Sequence, residues 1–150
     1  YLPSEIHDKI SDQIREKGNE YGTTTGRPRR IGWLDLVQLK QAVRVNGLTD
    51  IALTKLDILN NFKEIKICTK YEIEKKIIEE TPASLSQYQK LKPVYKTLPG
   101  WKNIPEKVWE KGFSSLPKNL KNYIEFIEQK IKCNISIVSV GPQRHETIIR

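Results

Sequence analysis

Metal-binding side chains are scarce in this chain. The two cysteines, Cys68 and Cys133, stand far apart, no C-x-x-C occurs, and His7 and His145 are the only histidines. Zinc-ligand spacing cannot be assembled from that set, so a zinc site is excluded. Both thiols read instead as reduced, partly buried cysteines, as expected of a cytoplasmic protein. No apolar run approaches the roughly 18 residues that a membrane span requires. A secretory signal is also lacking, as are internal repeats and low-complexity tracts. The chain opens on Tyr1-Leu2-Pro3 rather than on methionine, which reads as a fragment or a processed product.

What is present is globular in kind. The 150 residues are 37% hydrophobic and 29% charged, and a chain of that length buries enough surface for a core of its own. The net charge is +8 and the pI about 9.5. A basic balance suits nucleic acid, an anionic surface or phosphate-bearing small molecules. The lysines are spread along the chain, so composition does not choose among these.

Periodicity predicts alternating helices and strands. Residues 4–17 carry Ile6, Ile10 and Ile14 behind Ser4, which reads as a helix capped by Ser4. Residues 19–32 hold Gly22, Gly26, Gly32, Pro28 and three threonines, so they form a loop. Residues 34–46 are apolar around much of a helical circumference and are stopped by Gly47, predicting a helix buried on more than one side. Residues 51–56 read as an interior strand. Residues 64–71 alternate, with Ile65, Ile67, Thr69 and Tyr71 on one face. Residues 73–80 fit a charged helix or a return strand equally well. The span 81–115, with Pro82, Pro93, Pro99 and Pro105, reads as irregular. A helix over 117–132 follows, striped by Leu120, Tyr123, Ile124, Ile127 and Ile131. Residues 134–141 form a strand, and Thr147–Arg150 add a short one. The alternation predicts an α/β or α+β domain.

Two strand ends carry candidate chemistry. ALTKLD, residues 52–57, ends in Asp57 behind Lys55 and Leu56. A carboxylate at the C-terminal end of a strand points into the crevice where open α/β sheets bind ligands. It accepts two hydrogen bonds side by side, matching the N1–H and exocyclic amine of guanine, whereas adenine offers a bare acceptor there. The Lys55 stem can lie along a purine face. The competing reading makes Asp57 the cap of the turn Ile58–Asn61. In SIVSVGP, residues 136–142, Ser139, Val140 and Gly141 close another strand. The glycine allows close approach, and free backbone N–H groups there suit a carbonyl such as guanine O6. A plain strand-ending turn is the alternative.

The third candidate is TTTGRPRR, residues 23–30. Arg27, Arg29 and Arg30 offer planar forks for carboxylate or phosphate, with hydroxyl and backbone donors at Thr23, Thr24 and Thr25 beside Gly26. Three guanidiniums so close repel one another unless an anion neutralises them.

The sequence GNEYGTTTGRPRRIGWLDLVQLKQAVRVNGLT, followed by ALTKLDIL, EIKICTKYE, LPGW and SIVSVGPQR, resembles the C-terminal part of adenylosuccinate synthetases over nearly the whole chain. The resemblance implies the C-terminal fragment of a single domain. Its fold would be part of a mixed, mostly parallel sheet flanked by helices, of the P-loop-containing nucleotide hydrolase-like kind. It implies a GTP-dependent ligase that joins IMP and L-aspartate into adenylosuccinate, GDP and phosphate, on the route from IMP to AMP. GTP first phosphorylates the purine 6-oxygen, and the aspartate amine then displaces that phosphate. Thr23, Thr24, Thr25 and Gly26 would bind an aspartate carboxylate. Arg27 would bridge aspartate and the IMP ribose, and Arg29 would hold aspartate and sense the GTP side. Lys55, Leu56 and Asp57 would hold guanine, with Ser139, Val140 and Gly141 on its other edge. A cytoplasmic homodimer with Mg2+ and GTP as cofactor and co-substrate is also implied, without nucleic-acid or membrane partners.

The chain departs from the family pattern in what it omits. No glycine-rich phosphate loop, catalytic aspartate or catalytic histidine matches here, and the metal ligands belong to that same unmatched region. His7 and His145 read as surface residues, and Gln143 stands where the family commonly has aspartate. The isolated chain is therefore expected to be inactive. A non-catalytic guanine-nucleotide-binding module is the alternative. A nucleic-acid binder would interleave aromatics with the arginines, and only Tyr21 and Trp33 lie near.

Overall fold

The computed structural model describes all of residues 1–150. Five helices and seven strands follow in the order α1 (Lys9–Gly18), β1 (Leu34–Asp35), α2 (Leu36–Asn46), β2 (Asp50–Leu53), β3 (Glu64–Ile73), β4 (Lys76–Ile78), α3 (Leu85–Tyr88), β5 (Lys92–Pro99), α4 (Glu106–Trp109), α5 (Lys118–Ile131), β6 (Asn134–Ser139) and β7 (Thr147–Ile149). They form two compact units. The first comprises Tyr1–Gln38 and Lys66–Lys96, the second Leu39–Ile65 and Thr97–Arg150. No helix is long and apolar enough to cross a membrane.

The first unit is organised on β3. It pairs in parallel with β1, matching Leu34 to Ile67 and Asp35 to Cys68, and in antiparallel with β4. Its fourth strand, β5, also pairs with β3. The alternation read from the sequence holds in part: Ile65, Ile67 and Tyr71 are fully buried, Thr69 is half-buried, and Cys68 on the opposite face is fully buried too. Residues 73–80 resolve as the return strand, because Glu74 and Lys75 both adopt positive φ (49° and 65°), the geometry of a tight hairpin turn. Val37, Cys68, Tyr71 and Leu91 make a small core with Ile73, Ile78, Tyr88 and Tyr95 packed on it.

The first helix starts later than the spacing of isoleucines suggests. Asp8, not Ser4, is its cap, its carboxylate accepting from the N–H groups of Ile10 and Ser11. Ser4 is buried and donates instead to the Trp33 carbonyl at 2.7 Å. A tertiary partner took the hydroxyl that the local pattern assigned to capping. The helix ends at Gly18, with Asn19 in the left-handed region beyond it.

The second unit is a three-stranded sheet in the order β2-β6-β7. Strand β2 pairs in parallel with β6 only, so it is an edge rather than the interior strand expected, and its residues alternate between exposed and half-buried. β-branched character did not distinguish edge from centre. The stripe on α5 is buried at Leu120, Tyr123, Ile124, Ile127 and Ile131, as periodicity predicts, and α5 contacts β6. By contrast α2 buries only Leu36 and Val37, and Val45 is 71% exposed. Its apolar circumference is therefore not covered on more than one side within this chain.

The proline-rich span contains an eight-residue strand, β5, that begins beside Pro93 and ends at Pro99. Prolines at the margins of a strand leave its middle free to pair. Just after it, Gly100 donates to the Lys63 carbonyl at 2.9 Å, and Trp101 accepts from the Asn61 N–H at 2.8 Å. A Cβ on Gly100 would collide with the Phe62 carbonyl, so only glycine fits the LPGW turn. The Trp101 indole donates to Asn60 at 2.8 Å and packs at a tilt of 58° against Tyr123, with ring centres 5.4 Å apart.

Candidate functional site

In the second unit, β2 and β6 run in parallel with Leu53 opposite Val138. Both strands therefore end at the same edge. Lys55, Leu56 and Asp57 follow one of them directly, and Ser139, Val140 and Gly141 close the other. Two segments 84 residues apart in sequence are brought together by one register.

Lys55 sits in the left-handed region (φ 61°, ψ 31°). That conformation costs an L-residue on the order of 1 kcal/mol and persists where the surroundings impose it. A 3-10 turn, Leu56–Leu59, follows. Leu56 is its buried anchor at 2% exposure, and Asp57 lies inside the turn, half-buried. The capping alternative does not hold, because no side chain caps this turn and the Asp57 carbonyl, not its carboxylate, accepts from Asn60.

The β6 end is more tightly built. Ser139 Oγ donates to the Gly141 carbonyl at 2.8 Å. The Val140 N–H donates to the Glu146 carbonyl at 3.0 Å, so it is not among the free donors expected there. Gly141 is buried against the Glu146 carboxylate, and a Cβ would collide with it. Glu146 cannot yield easily, since it accepts from the Gln143 N–H at 2.6 Å in a capping box that starts the turn Arg144–Glu146. Gln143 thus braces the loop behind Gly141, a role its sequence position did not suggest.

In the first unit, residues 20–29 form a closed hairpin-like loop. Gly22 donates to the Arg27 carbonyl at 2.8 Å, Gly26 to the Gly22 carbonyl at 2.8 Å and Arg29 to the Glu20 carbonyl at 2.9 Å. Tyr21 and Pro28 form an isolated bridge across it. Every residue from Thr23 to Arg30 is exposed. The mutual repulsion expected of the three arginines is relieved inside the chain. Arg29 pairs with Glu20 at 2.9 Å. Arg30 grips both oxygens of Glu5, and that guanidinium holds the Glu5 carboxyl below its usual range. Only the Arg27 guanidinium lacks an acid partner. Of the two nearby aromatics, Trp33 is buried and the Tyr21 hydroxyl binds Glu16.

One polar cluster escaped the sequence reading. Asp35 is buried and caps α2, accepting from Val37 at 3.0 Å and Gln38 at 3.2 Å. The Tyr71 hydroxyl donates to its other oxygen. Burial pushes the Asp35 carboxyl above its ordinary value, opposed by those donors. The neighbouring Cys68 thiol is pushed up to about 12, first by burial and then by Asp35, so it is inert at neutral pH. An aspartate just ahead of a helical pattern is the signal that could have revealed the cap. His7 and His145 are exposed, as expected. No three His, Cys, Asp or Glu side chains converge as metal ligands.

The sequence model of the adenylosuccinate synthetase family matches residues 1–148. The chain belongs to the adenylosuccinate synthetase family. It is 51% identical over 148 residues to the adenylosuccinate synthetase of Caldanaerobacter subterraneus subsp. tengcongensis and 49% identical to that of Geotalea uraniireducens. Each alignment covers 99% of this chain and 34% of the relative, so the chain spans about a third of those synthetases. Among solved structures, the fully ligated adenylosuccinate synthetase from Plasmodium falciparum superimposes with a TM-score of 0.89 at 36% identity, over 100% of this chain and 36% of that one. The mixed α/β architecture is thus that of adenylosuccinate synthetases.

Proposed function

We propose that this chain is the C-terminal, substrate-recognising part of an adenylosuccinate synthetase, a GTP-dependent ligase joining IMP and L-aspartate. The observation that carries the reading is the common edge of β2 and β6, where an uncapped Asp57 stands on one strand end and a buried Gly141 on the other. The Asp57 carboxylate accepts from guanine N1–H and the exocyclic amine. The Gly141 backbone closes the O6 edge, and the Lys55 stem lies along the purine face. In the exposed loop, Thr23, Thr24, Thr25 and Gly26 bind one aspartate carboxylate. Arg27, whose guanidinium has no acid partner, is available to bridge aspartate and the IMP ribose. Arg29 holds aspartate on its remaining donors. These groups bind and orient, while Mg2+ would support the family's phosphate transfer; no three His, Cys, Asp or Glu side chains of this segment converge to hold it.

The experiment is a base-swap in the complete synthetase. Asp57→Asn presents an amide donor where guanine needs an acceptor. GTP-supported kcat/KM is expected to fall about 100-fold or more, while xanthosine triphosphate, with a carbonyl at that edge, becomes the better substrate. Undiminished guanine preference in the variant refutes the pocket.

A further inference from the structure

The three arginines of the exposed loop are held in three different ways, and the difference singles out one acid. Arg27 has no acid partner. Arg30 spends its fork on both oxygens of Glu5. Arg29 makes a single contact, from one terminal nitrogen to Glu20 at 2.9 Å. A guanidinium carries five N–H donors, and a bidentate grip on a carboxylate uses two of them along one edge. The Glu20 contact takes one terminal nitrogen of Arg29 and leaves its Nε edge open, whereas the Glu5 grip occupies the Nε edge of Arg30 and leaves only the edge between its terminal nitrogens.

The backbone under Arg29 is pinned as well. Its N–H donates to the Glu20 carbonyl at 2.9 Å, and its own carbonyl accepts from Arg15 Nε at 3.0 Å. Arg15 is itself held by Asp12 at 2.7 Å on the same helix. Glu20 follows directly on the helix cap Asn19 and donates to the Arg15 carbonyl at 2.9 Å. Its side chain is 17% exposed against 53% for Arg29. The acid is the fixed member of the pair and the arginine the presented one.

The geometry points to Glu20 as a positioning residue that aims the free edge of Arg29 at the carboxylate of the dicarboxylic amino-acid substrate, with Arg15 fixing the backbone beneath. This rests on the proposed role of the loop. Glu20 touches no substrate in this scheme. It removes rotamer freedom that Arg29 would otherwise lose on binding.

The test compares Glu20→Gln, Glu5→Gln and Arg29→Leu in the complete synthetase, each by steady-state kinetics and thermal melting. Glu20→Gln keeps the shape and removes the charge. Aspartate KM is expected to rise about tenfold, the effect of one misaligned charge-assisted contact. The KM for IMP and the melting temperature should stay at wild-type values, and Glu5→Gln should leave aspartate KM within about twofold because Arg30 is outside the proposed binding set. An unchanged aspartate KM in Glu20→Gln overturns the proposal. So does a fall, which would make Glu20 a competitor for Arg29, and so does a joint loss of melting temperature and both affinities, which would make it merely structural. An equal effect from Glu5→Gln also overturns it, by reducing the effect to general loop charge. Arg29→Leu separates the two levels. If it raises aspartate KM while Glu20→Gln does not, only the positioning claim fails; if it leaves aspartate KM unchanged, the loop reading fails with it.

Discussion

The strand ends and the arginine loop hold their shapes by opposite means. At the edge of β2 and β6 the shape is set by backbone: parallel register, a left-handed Lys55, a buried Leu56 and a glycine packed against Glu146. In residues 23–30 nothing is buried, and the shape is set by a few backbone hydrogen bonds and by ion pairs to Glu20 and Glu5. The first arrangement is consistent with the flat, rigid base proposed for it. The second is consistent with the proposed flexible, charged amino acid. Recognition by packing resists change but tolerates little substitution, whereas recognition by exposed charge is easily altered without harm to the fold.

That contrast is broken most sharply at Gly141. Gly141→Ala forces a methyl into the Glu146 carboxylate and disturbs the capping box, so a loss of about 1–3 kcal/mol in denaturant stability is expected together with weaker GTP binding. Wild-type stability in this variant would show that the β6 turn is not packed as described. Next in size is Arg27→Leu in the complete synthetase. Aspartate KM should rise and kcat fall, each by about tenfold, with melting unchanged, because the guanidinium has no acid partner in the fold and in its proposed role would serve both bound and reacting substrate. A melting temperature that drops with activity would erase the distinction between the two regions. The smallest effect sharpens it. Lys55→Gly relieves the left-handed strain and should leave stability equal or higher by up to about 1 kcal/mol while GTP KM increases. Stability and affinity falling together would mean that the backbone at Lys55 is not under tension.

The candidate site could be named from the sequence because its chemistry is local. TTTGRPRR, TKLD and SVGP each name donors or acceptors that a short stretch supplies on its own, and all three lie where the chain turns. The stripe on α5 and the alternation of β3 were legible for a similar reason, since a period records which side is buried. The misreadings share a cause. Ser4 as a cap, β2 as an interior strand, α2 as buried on more than one side and the source of the arginines' neutralising charge each required knowledge of a neighbour distant in sequence: Trp33, β6, the covering of α2, and Glu5 with Glu20. Proline also misled, because the pairing of β5 with β3 was not encoded in its own composition.

By itself the sequence determined the types of group available and the periodicity that buries α5 and β3, because side-chain chemistry and helical or strand repeat are properties of adjacent residues. Only the tertiary structure decided that Leu53 lies opposite Val138, bringing Asp57 and Gly141 to one edge, and that Glu20 engages Arg29. Those are pairings across long sequence separations, fixed by the burial and hydrogen bonding of the assembled fold and not by any single segment.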